Sequence, residues 1–267
     1  MLNDVTLGQY FPGKTAVHLL DPRTKLILTL VYIIALFLAN TVCGYLLMLG
    51  FLLFTIALAK IKLSVLLKSI RPLLIIIILT AVLNLFYSDG RVLVSFWIFK
   101  ITENGVRNAI FMVARITLLI CGTFMLTYTT SPISLTDGME SLLSPLKKIK
   151  LPVHELAMMM SIALRFIPTL IKETDKIMSA QKARGADFES GNIASRAKAM
   201  VPILVPLFIS AFRRADELAT AMECRCYQGG DSRTKLHELH YAKRDAICFL
   251  LGAVLLAAVA ALRYFAI

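Results

Sequence analysis

Leu156–Gly185 reads LAMMMSIALRFIPTLIKETDKIMSAQKARG. It opens apolar, carries Pro168 near its middle, and closes on a charged half ending in Ala-Arg-Gly. A second stretch, AMVPILVPLFISAFRRADELATAMECRCY at Ala199–Tyr227, repeats the plan with Pro202 and Pro206. Neither contains a glycine before its final arginine. They are predicted as two long helices, over Pro152–Arg184 and Ile193–Tyr227, each kinked by proline and separated by a break at Gly185–Asn192. Their apolar halves are too interrupted to read as membrane spans. They suit helices lying at a membrane's cytoplasmic boundary or packed under partner subunits. Arg213 and Glu217 are expected to pair at i,i+4. Met158–Met160 read equally as an adaptable docking surface or as core.

Working outward, the chain of 267 residues is 58% hydrophobic, with mean hydropathy +0.74. Soluble domains hold about 45–50% apolar residues, so this is a membrane protein. Charge is concentrated: 17 of the 29 Lys+Arg and 12 of the 17 Asp+Glu lie between Thr129 and Arg244. The net charge of +12 is read as basic cytoplasmic ends of membrane helices rather than as a nucleic-acid surface. No aromatic-rich basic motif accompanies it. The five cysteines, Cys43, Cys121, Cys224, Cys226 and Cys248, make no disulfide framework.

Five apolar runs stand out: Leu26–Ala39, Tyr45–Ala59, Pro72–Tyr87, Val106–Tyr128 and Ala246–Phe265. The first two form a tight hairpin with its tip near Asn40, and Pro72 is placed at a first helical position. Val92–Phe99 reads as a re-entrant or interfacial turn. Arg23, Lys25, Lys60, Lys62, Lys68, Arg71 and the basic residues after the fourth run fall on one side if the N-terminus is cytoplasmic. The fold class is therefore an all-α integral membrane protein. It has about five transmembrane helices, with amphipathic cytoplasmic helices inserted before the last span. The expected divisions are an N-terminal lead at 1–25, spans one to four at 26–128, a cytoplasmic helical domain at 129–244 and the last span at 245–267.

Several local signals compete with this reading. GQYFPGKT, Gly8–Thr15, matches a phosphate-binding loop letter for letter, but such a loop needs a following helix to cradle phosphate, and HLLDPR follows. Cys224, Cys226, His237 and His240 resemble a zinc set, yet C-x-C and H-x-x-H are tighter than usual ligand spacings. No metal site is expected. Arg115 and Asn84 lie inside membrane runs, where polar groups are costly. Arg115 is expected to hydrogen-bond a neighbouring helix. A secondary carrier would show polar midplane groups on broken helices, and no intramembrane carboxylate is present. What recurs between the two long helices is an arginine flanked by small residues: Ala183-Arg184-Gly185 and Cys224-Arg225-Cys226. Each suits a helix C-terminus through the dipole, and an arginine on a helix tip also makes a good anchor for a partner's groove.

LDPRTKL (Leu20–Leu26), LRFIPTLIKE (Leu164–Glu173), AQKARGADF (Ala180–Phe188) and AFRRADELATAMECRCYQGG (Ala211–Gly230) together resemble the transmembrane T component of energy-coupling factor transporters. These are ATP-driven importers of vitamins and transition-metal ions. The resemblance covers nearly the whole chain. It implies a non-catalytic subunit without a cofactor of its own, ATP being bound by two partner ABC-type ATPases. It implies two crossing coupling helices whose tips contact those ATPases through Ala183, Arg184, Gly185, Cys224, Arg225 and Cys226. It also implies a separate substrate-binding S component in the membrane lipid, and for its docking we single out Met158, Met159, Leu164, Phe166, Leu170, Leu204, Leu207 and Phe208. The second motif departs from the commoner form by carrying cysteine on both sides. The alternatives are a secondary carrier, or a membrane metalloenzyme built on Cys224, Cys226, His237 and His240.

Overall fold

Asp21 starts the first helix and ties it to the last. In the computed structural model, which describes residues 10–87, 92–96, 99–149, 152–186, 188, 192–229 and 238–265, helix α1 spans Pro22–Leu38. Its N-cap is Asp21, whose carboxylate accepts from the Arg23 amide at 2.8 Å, and Pro22 supplies the fixed φ favoured at a first helical position. The chain then forms α2 (Val42–Ala59), α3 (Leu63–Ile70), α4 (Leu74–Tyr87), strands β1 (Val92–Phe96) and β2 (Phe99–Thr102), α5 (Glu103–Thr129), α6 (Pro132–Leu143), α7 (Val153–Ala183), α8 (Ile193–Glu223) and α9 (Lys243–Phe265).

The described residues divide into two compact units, one within Gly8–Met139 with Leu239–Ile267 and the other within Glu140–Glu238. The first is a helical bundle. Its core gathers Tyr32, Ala35 and Leu36 of α1, Met48 and Leu52 of α2, Leu66 of α3, Leu118, Met125 and Tyr128 of α5, and Leu255 and Val259 of α9. Several buried polar atoms find partners inside it, whereas the Thr24 and Thr130 hydroxyls have none among the described residues. The Tyr32 hydroxyl donates to the Leu118 carbonyl at 3.1 Å, and Tyr128, fully buried, shares a hydrogen bond with Ser69. Gly122 of α5 packs against Tyr32 of α1, whose ring occupies the space a Cβ would need.

The sequence-based expectations meet three differences here. Pro72 does not open a helix: α3 precedes it, and Arg71–Leu73 form a single 3₁₀ turn into α4, so Leu63–Phe86 is apolar and long enough to span as one unit. The 88–105 segment contains an antiparallel pair, with Val92 opposite Thr102 and Phe96 opposite Phe99, in place of a re-entrant turn. Among the described residues, six helices are long and apolar enough to cross a membrane, and they include α7 and α8. The prolines at 168, 202 and 206 lie inside unbroken helices. Neighbouring turns absorb the missing N–H bond without ending the helix. α1, at 17 residues, falls just short of such a span by length.

One end of the bundle is fastened by charge. Asp245, 2% exposed, accepts the Asp21 amide on Oδ1 at 3.0 Å and the Ala242 amide on Oδ2 at 2.8 Å. Arg23 pairs with Asp21 at 2.9 Å, donates to the Leu239 carbonyl at 2.7 Å and lies over the Tyr241 ring. Lys25 Nζ donates to the carbonyls of His18 and Thr129. Burial alone would raise the Asp21 carboxyl, but the hydrogen bonds and charge of Arg23 outweigh it and hold the group below its ordinary range. Its contribution to stability is therefore present above the ordinary carboxylate range and is lost as pH falls through the lower folded-state value. Asp245→Ala leaves the buried Asp21 amide and the part-buried Ala242 amide without acceptors and is expected to cost roughly 1–3 kcal/mol. Asp245→Asn keeps the shape but turns one acceptor into a donor facing an amide, so it is expected to destabilise as well. Thermal unfolding of the purified chain measures both, and a wild-type midpoint in either variant contradicts the assignment.

Candidate functional site

The unit Glu140–Glu238 is built around α7 and α8, each 31 residues long, or about 46 Å at 1.5 Å per residue. They are joined at one polar point. Glu173 of α7 accepts from the Ser210 hydroxyl at 2.6 Å and from Arg214 Nη2 at 2.8 Å, using one oxygen for each. The ion pair on α8 is thus made by Arg214, not by Arg213 with Glu217. An i,i+4 pair on a solvated face contributes only about 0.3–0.5 kcal/mol, too little to hold Arg213 in one geometry. Glu173 and Arg214 were quoted in the sequence without a role. The signal that could have found them is a carboxylate on one long helix with a hydroxyl and an arginine four residues apart on the other.

Both helices finish in the same way. After Ala183, the Gly185 amide donates to the Lys182 carbonyl at 3.0 Å and the Ala186 amide to the Gln181 carbonyl at 3.0 Å. After Glu223, the Cys226 amide donates to Glu223 at 2.8 Å and the Tyr227 amide to Met222 at 3.1 Å. These paired bonds, reaching back three and five residues, are the Schellman ending. The ending requires a left-handed residue just after the arginine: Gly185 has φ +86° and Cys226 has φ +56°. The small residue at this place is thus set by backbone conformation, and a helix-propensity argument does not apply at Cys226. Ala183, Arg184, Gly185, Cys224, Arg225 and Cys226 are all exposed. Among the described residues neither the Arg184 nor the Arg225 guanidinium group has a hydrogen-bond or ion-pair partner.

The eight docking candidates differ in exposure. Met159, Leu204 and Phe208 are exposed, at 54%, 43% and 61%. Met158, Leu164, Phe166, Leu170 and Leu207 are half-buried. The exposed apolar stripe on α8 is longer than expected: Met200, Val201, Leu204, Val205, Phe208, Ile209 and Phe212. Its i, i+1, i+4, i+5 recurrence marks a single helical face. The prolines at 202 and 206 obscured that period in the sequence.

Elsewhere, the GKT run leads into a turn, not a helix. The Thr15 hydroxyl is bonded to His18 Nδ1 at 2.6 Å, and His18 Nε2 to the Phe11 carbonyl. Of the four residues of the zinc reading, His237 lies outside the described residues. Among the described residues no group of three or more His, Cys, Asp or Glu could hold a metal ion. Arg115 does bind neighbouring helices: Nε donates to the Tyr45 hydroxyl at 3.0 Å, and Nη2 to the Ala39 carbonyl and Asn40 Oδ1 at 3.2 Å each.

Long apolar helices in this number define a multi-pass membrane protein of the α-helical class. Comparison with known proteins gives the family. Residues 13–236 match the CbiQ family, described as cobalt transport protein. The chain is 54% identical over 264 residues to the energy-coupling factor transporter transmembrane protein EcfT of Acidaminococcus fermentans, covering 99% of this chain and 98% of that protein. It is 53% identical over 247 residues to the EcfT of Ruminiclostridium cellulolyticum, covering 92% of each. It is 50% identical over 246 residues to that of Bacillus subtilis, covering 92% and 93%. The chain belongs to this family of energy-coupling factor transporter transmembrane proteins, a transport component and not an enzyme.

The two endings make opposite predictions for glycine. A non-glycine residue in the left-handed region costs roughly 1–2 kcal/mol. Cys226→Gly should therefore tighten the last turn of α8, and Gly185→Ala should loosen that of α7, each by about 1 kcal/mol. Amide hydrogen exchange over Thr220–Tyr227 and Ala180–Ala186 reads both. Equal protection in wild type and variants contradicts the shared ending.

Proposed function

We propose that this chain couples ATP hydrolysis by two ABC-type ATPase subunits to reorientation of a substrate-binding S component during vitamin uptake. In this reading α7 and α8 are cytoplasmic coupling helices, Arg184 and Arg225 each anchor one ATPase, and the exposed stripe of α8 faces the S component. The observation that carries it is the duplicated ending: two helices joined at Glu173 each present an arginine at a Schellman terminus. One such arginine is explained by the helix dipole, but dipole compensation supplies no reason for both tips to adopt the same hydrogen-bond pattern and stand unpartnered. The relatives' names support the reading by placing their proteins in an energy-coupling factor transporter. The chain contributes no cofactor site of its own in this scheme; nucleotide belongs to the partners.

The basic residues around Arg23, Lys60–Arg71 and Lys147–Lys148 support a cytoplasmic position for this unit. A chain retaining only Cys224 is expected to react with a membrane-impermeant maleimide after permeabilisation and not in intact cells. Labelling in intact cells removes the cytoplasmic assignment.

Arg184→Glu and Arg225→Glu should each weaken ATPase capture or uncouple hydrolysis from uptake while the chain still inserts. Reversal should hurt more than alanine, because like charges then face each other across the contact, and the double reversal should lose the complex. Co-purification with the two ATPase subunits and ATP-driven vitamin uptake are the measurements. Wild-type capture and uptake in both single reversals would sink the proposal.

A further inference from the structure

The bundle unit holds a polar cavity among its described residues. It has a volume of about 420 Å³ and lies between the α1–α2 turn, the end of α4 and the first half of α5. Two further hollows of the bundle are lined mainly by apolar side chains. The polar cavity is walled by Arg107 and Arg115 together with Asn40, Asn84 and Tyr45, and no carboxylate is among its lining residues. Arg107 and Arg115 stand eight residues apart on α5, or about 12 Å along one face.

Arg115 is fixed in place by the Tyr45 hydroxyl, the Ala39 carbonyl and the Asn40 side chain. All three are neutral acceptors, so its position is set while its charge is not neutralised. Arg107 lies over the Phe111 ring, 5.5 Å from its centroid, and has no hydrogen-bond or ion-pair partner among the described residues. Arg115 is half-buried and Arg107 exposed. For Arg115, a guanidinium ion partly withdrawn from water with only neutral acceptors around it is costly, and Arg107 adds a second positive charge at the mouth of the same cavity. Arginine is also the side chain whose planar fork matches phosphate oxygens. Tyr45, whose hydroxyl accepts from Arg115, keeps its own proton to donate. The α1–α2 turn marks the end of two apolar helices, which is the level at which lipid phosphates border the hydrocarbon.

We propose that this cavity binds a phosphate group, with Arg107 and Arg115 as its charged donors. An anionic lipid headgroup and free phosphate present the same chemistry, and both can be offered. The full-length chain in a neutral maltoside detergent would be titrated with phosphatidylglycerol, with diacylglycerol as the phosphate-free counterpart, and with inorganic phosphate. Binding would be followed by native mass spectrometry and by the unfolding midpoint. Phosphatidylglycerol should bind about tenfold tighter than diacylglycerol, as expected for one charge-assisted contact, and the preference should shrink with salt. If inorganic phosphate also binds and competes, the site takes free phosphate; if it does not, the site is for a lipid headgroup. Either result supports the assignment.

Arg115 also fastens helices, so its removal can unfold the chain. Arg107→Gln is the decisive variant, because Arg107 forms none of the bundle's hydrogen bonds. It should keep the unliganded midpoint and lose about tenfold in affinity for the phosphate-bearing ligand. Equal binding of phosphatidylglycerol and diacylglycerol with no binding of phosphate, or unchanged affinity in Arg107→Gln, overturns the proposal.

Discussion

A buried backbone amide at the start of α1 has to find an acceptor, and one carboxylate provides it together with an acceptor for a part-buried amide just before α9. Asp245 takes the Asp21 amide on one oxygen and the Ala242 amide on the other. Asp21 in turn caps α1 and holds Arg23, and Arg23 reaches the carbonyl of Leu239. The first and last helices are therefore joined by groups more than 200 residues apart in sequence. Each would be an expensive orphan alone. With this junction in place, Lys25 can close the lead and the end of α5 against the same point through the His18 and Thr129 carbonyls.

The membrane helices were the most legible part of the sequence, because length and apolarity nearly suffice to define a span. What composition cannot give is how a segment starts. Pro72 looked like a helix beginning, yet the short amphipathic turn of α3 before it continues almost directly into α4. α7 and α8 were legible as long helices through their three prolines, and they run unbroken. What the interrupted pattern hid is that both are long and apolar enough to cross a membrane.

The arginine motifs were visible as repeated letters, but their physical content was not. Ala-Arg-Gly and Cys-Arg-Cys look alike only as small-Arg-small. The structure gives the closer equivalence, a left-handed residue that lets the next two amides reach back three and five residues. Cys226 therefore occupies a glycine's place, and nothing in its side-chain chemistry explains its presence there. Glu173 was missed for a related reason. Its partners Ser210 and Arg214 lie on a different helix, and long-range polar pairing has no local period to read.

The position of that junction along the two helices has a mechanical consequence. Glu173 lies 11 residues before Arg184, and Arg214, the last residue of α8 bonded to it, lies 11 before Arg225, so the stretches beyond the junction each measure about 16 Å. They behave as two rods pinned at equal distances from their ends, with Ser210 holding α8 one turn further back. A tilt of about 10° about the pin would carry either arginine tip roughly 3 Å. Equal thrusts at the two tips therefore exert equal torque at Glu173, and the likeness of the two ends extends to their lever arms.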